Sequence, residues 1–245
     1  MRAMSPTPSH RQAGFTLAEL AIVLLILTVL AAALVVPFSA RLAAERRNQT
    51  ATMLDNIHAA LIGFAIVHGR LPCPSTRRNP ADARYGEEDF DAATSNCVTA
   101  TEGILPWRTL GLPAFDAWGL PRQVEADAWT GYFRYRVDLG FSSTLPGARI
   151  RANTPYQDKI KVVDHAGNEI TVSSYTGSEV LKNSTAVALV YSTGSDLTPN
   201  GANASYESGS DASYEDGDPT TRFDDMVMWI ARPLLIARMA QAGAL

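Results

Sequence analysis

Apolar residues are distributed unevenly along this chain. Residues 20–36, LAIVLLILTVLAAALVV, contain no charged residue, glycine or proline. With the residues just before them they form an apolar stretch over residues 15–36, which as a helix would be about 33 Å long and could cross a bilayer. The pattern therefore predicts a transmembrane helix segment at 15–36, after a short polar and mildly basic segment at 1–14.

The helical pattern continues beyond the apolar stretch. Gly69 is a typical helix stop signal, and Pro72 follows soon after it. The pattern predicts one helix from Phe15 to His68, whose soluble continuation covers residues 37–69. One apolar stripe at helical spacing marks the side of this continuation that faces a core: Met53, Ile57, Ala60, Leu61 and Phe64.

The rest of the chain, residues 70–245, has the pattern of a globular head with strands. Residues 164–168 would be the turn of a hairpin, and residues 193–222, rich in Ser, Gly, Asp and Asn, are predicted to form a long loop. Pro233 can begin a short C-terminal helix. The fold class predicted is α+β, a long helix packed on an antiparallel sheet. The predicted strands are residues 132–139, 159–162, 169–172, 186–191 and 226–230.

The charge balance is acidic, with a formal net charge of -4. Without residues 1–14 it would be -6, from 19 basic and 25 acidic residues. This balance disfavours DNA as a partner, because phosphate contacts need Lys and Arg.

Three pairs of basic residues at i, i+2 spacing nevertheless predict a positive sheet face. Such a face would contact DNA or an acidic partner, or would be an ordinary exposed surface. The pairs are Arg134 with Arg136, Arg149 with Arg151, and Lys159 with Lys161.

Two cysteines, Cys73 and Cys97, follow the apolar stretch. If this part of the chain is extracytoplasmic, they are expected to form a disulfide. The bond would close a loop of about 25 residues. By restricting the unfolded chain, it would stabilise the folded protein by about 3–4 kcal/mol. Two unpaired thiols are the alternative, and two cysteines without a nearby histidine make at best half of a zinc site.

Glu19 is an acid within the apolar stretch. A charge deep in a membrane helix costs about 2.5–3.5 kcal/mol on insertion scales, and less near the helix end. Such a residue points to a function and needs a partner.

Residues 14–20, GFTLAEL, resemble the type IV prepilin motif when taken with the short basic leader and the apolar run. The resemblance implies that a prepilin peptidase cuts after Gly14 and that the new terminal residue, Phe15, is N-methylated. It implies that Glu19 then pairs with the terminal amine of a neighbouring subunit. The implied partners are the peptidase, other pilins or pseudopilins and the bacterial inner membrane, with a periplasmic head and a filament after assembly.

An acidic segment near the C-terminus is a candidate calcium site, because calcium takes six to eight oxygen ligands. Some secretion pseudopilins, which the chain resembles, bind calcium in a loop near the C-terminus. A solvated acidic loop is the alternative, and no cofactor is otherwise required. The candidate ligands are Asp216, Asp218, Asp224 and Asp225.

Catalytic motifs are missing from the sequence. It contains no HExxH, P-loop, dinucleotide or Gly-x-Ser-x-Gly pattern, so we expect no enzyme activity. The interpretation favoured is a minor pilin or pseudopilin, since 231 residues after cleavage is large for a major subunit. A major pilus subunit, or a tip-displayed adhesin or DNA-binding pilin, are the alternatives.

Overall fold

The computed structural model describes residues 16–77, 79–99, 102–119, 131–143, 149–158, 160–171, 185–204 and 213–245, with residues 31–38 described as backbone only. It confirms an α+β fold. The elements are α1 (Leu17–His68), β1 (Phe90–Asp91), β2 (Asn96–Cys97), β3 (Gly103–Ile104), α2 (Trp107–Leu110), β4 (Arg134–Val137), α3 (Leu139–Ser142), β5 (Lys161–Val163), β6 (Ala186–Ser192), a 3₁₀ helix (Gly201–Ala204), β7 (Ser213–Glu215), β8 (Met226–Ala231) and α4 (Arg232–Gln241).

The chain divides into two compact units, Met1–Ala44 and Glu45–Leu245. In the first unit, the large apolar side chains described between Leu17 and Leu30 are 51–91% exposed. An apolar helix surface of this kind is stable in lipid or against other apolar helices, but not in water.

Two stretches of the described helix are notably apolar. Ser39–His68 is long and apolar enough to cross a membrane by length and composition, and Leu17–Leu30 is a shorter apolar segment. In Ser39–His68 the apolar side chains Leu54, Ile57 and Leu61 are buried in the core of the second unit. That burial is typical of a core helix, so Leu17–Leu30 is the better candidate for a membrane anchor.

The core of the second unit lies on one face of an antiparallel sheet with strand order β3-β4-β6-β8. Leu54, Ile57 and Leu61 of α1 pack there beside Leu235 and Met239 of α4. This is the predicted helix-on-sheet arrangement. The two strongest strand predictions, residues 186–191 and 226–230, match β6 and β8 closely.

The opposite face of the sheet is also covered, which the sequence did not predict. Ile160, Val162 and Tyr214 pack there against Leu189 and Tyr191 of β6. Strands β5 and β7 pair in parallel to form this second layer.

The predicted basic sheet face is wrong for Arg134 and Arg136, which are 3% and 0% exposed. In the β4–β6 register they lie opposite Tyr191 and Leu189, so they share the face that the second layer covers. The alternation in β4 is real, but both of its faces are buried. Arg149 and Arg151 are exposed but lie outside the strands, and Lys159 lies outside the described residues.

Three other predictions need correction. The strand predicted at residues 132–139 is shorter, because β4 covers Arg134–Val137. The predicted hairpin is reduced to one bridge between Val163 and Glu169, since β5 pairs mainly with β7. The predicted loop at 193–222 contains the 3₁₀ helix and β7.

Candidate functional site

The predicted cleavage residues, Gly14 and Phe15, lie outside the described residues, which begin at Thr16. From there the structure shows how the helix starts. The backbone N–H and the hydroxyl of Thr16 both donate to Glu19 Oε2, at 2.9 Å each. In return, the Glu19 N–H donates to Thr16 Oγ1 at 3.2 Å. This reciprocal pair is a capping box, which satisfies donors that the first helical turn leaves open.

The capping box gives Glu19 a second role that the sequence analysis missed. Its signal, Thr-x-x-Glu ahead of an apolar run, is visible in residues 16–19. The bonds hold the Glu19 carboxylate at the start of the helix, against Thr16. Within the described residues, the second oxygen, Oε1, has no hydrogen-bond donor.

A disulfide joins Cys73 to Cys97, the pair suggested by the sequence. Cys97 lies in β2, and the buried Cys73 donates its N–H to Glu88 Oε2 at 3.0 Å. Glu88 also accepts two bonds of 2.7 Å from the Arg70 guanidinium. The disulfide therefore closes a loop whose base is fixed by a bidentate ion pair just after α1.

Asp224 and Asp225 lie together beside the loop that follows β6. Asp224 Oδ2 accepts from the N–H and hydroxyl of Ser195, at 2.6 and 2.5 Å. Asp225 Oδ2 accepts from the Asn200 N–H and the Asn203 amide, both at 2.9 Å. The two carboxylates thus hold the loop in place, a role the sequence analysis did not foresee.

The other oxygens of these carboxylates have no donor among the described residues. Asp224 Oδ1, Asp225 Oδ1 and Thr193 Oγ1 are buried without a hydrogen-bond partner. Burial raises the pKa of the Asp225 carboxyl to about 7. Unpaired buried oxygens are costly, and a hard cation would satisfy them.

The remaining two candidate ligands are placed differently. Asp216 lines a groove together with Asp225, and Asp218 lies on an exposed loop. In the part of the chain that the structure describes, no group of three or more His, Cys, Asp or Glu residues is placed to hold a metal ion. Calcium binding therefore stays a prediction, now centred on the unpaired oxygens of Asp224 and Asp225.

We expect calcium to raise the melting temperature of the detergent-solubilised chain relative to EDTA at pH 8, where the raised pKa still leaves Asp225 ionised. Free calcium at a hundred times its Kd would add roughly 2.7 kcal/mol, or about 5–10 °C for a head of this size. Asp225→Asn keeps an oxygen for Asn200 and Asn203 and should abolish the calcium shift. Equal melting temperatures of the wild-type chain in calcium and EDTA would rule out the site.

Comparison with known proteins identifies one segment of the chain. Residues 9–35 match the family model described as the prokaryotic N-terminal methylation motif. Neither the curated proteins nor the solved structures compared with the chain give a match. Over residues 9–35, the chain therefore carries the prepilin-type cleavage and methylation motif.

Proposed function

We propose that this chain is a minor pilin or pseudopilin, a structural subunit of a type IV pilus or type II secretion-like filament. Prepilin peptidase would cut after Gly14, and Phe15 would be N-methylated. The observation that carries the proposal is the methylation motif at residues 9–35, which continues into an apolar helix with exposed side chains. The proposed parts are a leader (1–14), a membrane segment (15–36), a soluble helix (37–69) and a periplasmic head (70–245).

The geometry of Glu19 supports a role in assembly. Its Oε2 is occupied by Thr16, while its Oε1 has no donor within the described residues. An amine from a neighbouring subunit would supply that donor and compensate the charge in a low-dielectric setting. The attraction would recruit each subunit to the next through the N-terminal helices.

A minor role is favoured over a major one. The mature chain would have 231 residues, and described segments without helix or strand, such as residues 79–89, 149–158 and 216–225, separate its short strands. Packing such segments in thousands of copies would order a large amount of loop backbone at an entropic cost. An adhesin displayed at a filament tip is compatible with this reading, whereas the acidic balance disfavours a DNA-binding pilin.

Peptidase processing tests the proposal. We expect Gly14→Val to block cleavage, because a β-branched side chain stiffens and crowds a backbone that glycine leaves open. The variant should accumulate in the membrane as a chain 14 residues longer than the wild type, as measured by mass spectrometry. Cleavage of wild type at another bond would contradict the proposal.

Glu19→Ala is the matched control for that experiment. It should be cleaved normally, since its cut site is intact, yet it should be incorporated poorly into filaments because it lacks the charge for a neighbour's amine. If Glu19→Ala is incorporated into filaments normally, Glu19 does not have the proposed role in assembly, whatever the result for cleavage after Gly14.

A further inference from the structure

The two edges of the main sheet differ. Strand β3 forms one edge, and beyond it Ser75 is bridged to Ile104 by two backbone hydrogen bonds of 2.9 Å. Strand β8 forms the other edge, and among the described residues it pairs only with β6. The chain itself therefore covers the β3 edge, whereas β8 is the open edge of the sheet as far as the structure describes it.

The backbone groups that β8 turns outward belong to Val227 and Trp229. Directly after β8, the Arg232 N–H donates to the Thr185 carbonyl at 3.1 Å, on the side of β6. Because Ala231 is extended, the alternation of a strand places the backbone groups of the even-numbered β8 residues on that same side. The N–H and C=O groups of Val227 and Trp229 therefore point away from β6, and no backbone partner for them lies in the described ranges of the chain.

This open edge lacks the features that normally block strand addition. The six residues of β8, MVMWIA, include no charged residue and no proline, and the first four are partly exposed. Natural sheets protect their edges with charged side chains, proline or a covering segment, since an unprotected apolar edge pairs with other chains. An edge without this protection fits a strand that a partner supplies.

A groove of 440 Å³ lies at this edge. One wall is formed by residues 226–229 of β8, which span about 13 Å as a strand. The other wall is α1, through Arg47, Ala51, Leu54 and Asp55, whose spacing places them in one stripe of the helix. An extended segment of about four residues would therefore bond to β8 on one side and pack against α1 on another.

The lining also defines the chemistry of such a segment. Side chains alternate along an extended segment, so apolar residues at every second position would meet Ala51 and Leu54. Carboxylates outnumber guanidinium groups in the lining, so a basic segment fits better than an acidic one. The charged lining residues are Asp55, Asp216, Asp225 and Arg47.

A second copy of this chain does not fit as the donor. Two identical edges pair antiparallel about a two-fold axis normal to the sheet. Because α1 packs on the face of the sheet, that axis would make the two α1 helices run in opposite directions. In the proposed filament, each α1 leads back to an apolar segment in the same membrane, so neighbouring α1 helices run the same way. Donation of another segment by each copy would continue as an open array, at odds with a minor subunit.

We propose that β8 accepts an extended strand from a different subunit of the same filament, bonded to the backbone of Val227 and Trp229. The donor strand carries apolar residues at alternate positions and a net positive charge. The inference rests on the proposed function and adds to it the contact by which this subunit selects its neighbour. Each copy offers one such edge, so the contact forms once and does not propagate.

A proline in the outward-facing part of β8 tests the backbone contact. Val227→Pro removes one outward N–H and leaves the bonds of β8 to β6 in place. In the bacterium that encodes the chain, it should lower the fraction of the chain found in sheared filaments by roughly ten-fold, because the donor loses a hydrogen bond and meets the proline ring. Val227→Ala keeps the N–H and should stay within about two-fold of wild type. Incorporation of Val227→Pro at the wild-type level would overturn the proposal.

A second variant closes the groove from α1 and leaves β8 unchanged, so it decides the question if Val227→Pro does not fold. Ala51 and Ala59 are both exposed on α1, and of the two Ala51 lines the groove. Arginine suits an exposed helix position, so both arginine variants should fold. Ala51→Arg should lower incorporation by roughly ten-fold and Ala59→Arg by less than about two-fold, since only the first blocks the donor strand. Equal incorporation of the two variants would count against strand addition.

Photo-cross-linking identifies the donor. Arg47 is replaced by a lysine analogue that carries a photo-reactive diazirine, and the same analogue at the exposed Arg151, outside the groove, is the control. Position 47 should be linked to a different chain that itself carries an N-terminal methylation motif, and position 151 should not give this product. A product with a second copy of this chain, or none, would overturn the inference and leave the proposed function standing. If the wild-type chain is not cleaved after Gly14, the proposed function fails first, and the inference fails with it.

Discussion

Replacing Glu102 with alanine should destabilise the head by about 3–5 kcal/mol, the usual cost of breaking a buried ion pair. Glu102 Oε1 lies 2.6 Å from the Arg134 guanidinium, and the Glu102 side chain is fully buried. Tyr191 and Tyr214 also donate to its two oxygens, at 3.0 Å each. The substitution removes the carboxylate from a buried arginine that cannot lose its proton. Urea unfolding of the detergent-solubilised chain, followed by tryptophan fluorescence, measures the change.

Arg134→Ala should cost less than Glu102→Ala, because Glu102 can take up a proton. Burial already raises the pKa of Glu102, with the charge of Arg134 opposing the shift. Without Arg134 the folded-state pKa rises further above the unfolded value of about 4.3. The protonated form of Glu102 is then favoured in the folded state. The free energy of unfolding of Arg134→Ala should therefore be greatest below about pH 4.3, the unfolded pKa, and should fall as the pH rises through the folded-state pKa.

An exposed pair provides the control for both variants. Arg84 and Glu87 lie 3.5 Å apart, with side chains 47% and 37% exposed. Glu87→Ala should therefore cost at most about 1 kcal/mol. Equal losses for Glu87→Ala and Glu102→Ala would mean that burial does not govern the cost of breaking these pairs.

The buried arginines show where sequence reasoning stops. Alternation in β4 correctly indicates that Arg134 and Arg136 share one face, because the side-chain period of a strand is a local property. It does not indicate what covers that face. The cover comes from β5 and β7, which pair in parallel across a separation of about fifty residues. Such pairings are set by tertiary packing, which local sequence patterns do not reveal.

Local sequence patterns predicted the structure correctly where the signal lies within a single helix or strand. All seven residues of β6 are buried and the first six form one apolar run, and α4 has a proline in its first turn. The capping box between Thr16 and Glu19 is equally local, and its Thr-x-x-Glu signal is visible in the sequence. The structural role of Asp224 and Asp225 could not be predicted from local patterns, because only the folded loop brings backbone N–H groups to their carboxylates.

Removing the disulfide should have the next largest effect on stability. Cys97→Ser, or the double variant with Cys73→Ser, should lose about 3–4 kcal/mol, because the unfolded chain regains the freedom of a loop that the bond closes over a sequence separation of 24. Cys73 is fully buried and Cys97 is partly exposed. The double variant should therefore lose slightly more than Cys97→Ser, through the buried serine hydroxyl.

The measurement is urea unfolding of the detergent-solubilised chain with and without a reducing agent. Reduction should destabilise the wild-type chain by about the same 3–4 kcal/mol and leave the double variant unchanged. The bidentate pair of Arg70 and Glu88 involves neither sulfur atom, so the variants should still fold, with the loop between the cysteines exchanging its amide hydrogens faster. A wild-type chain whose stability is insensitive to reductant would show that the ion pair, and not the disulfide, holds the base of this loop.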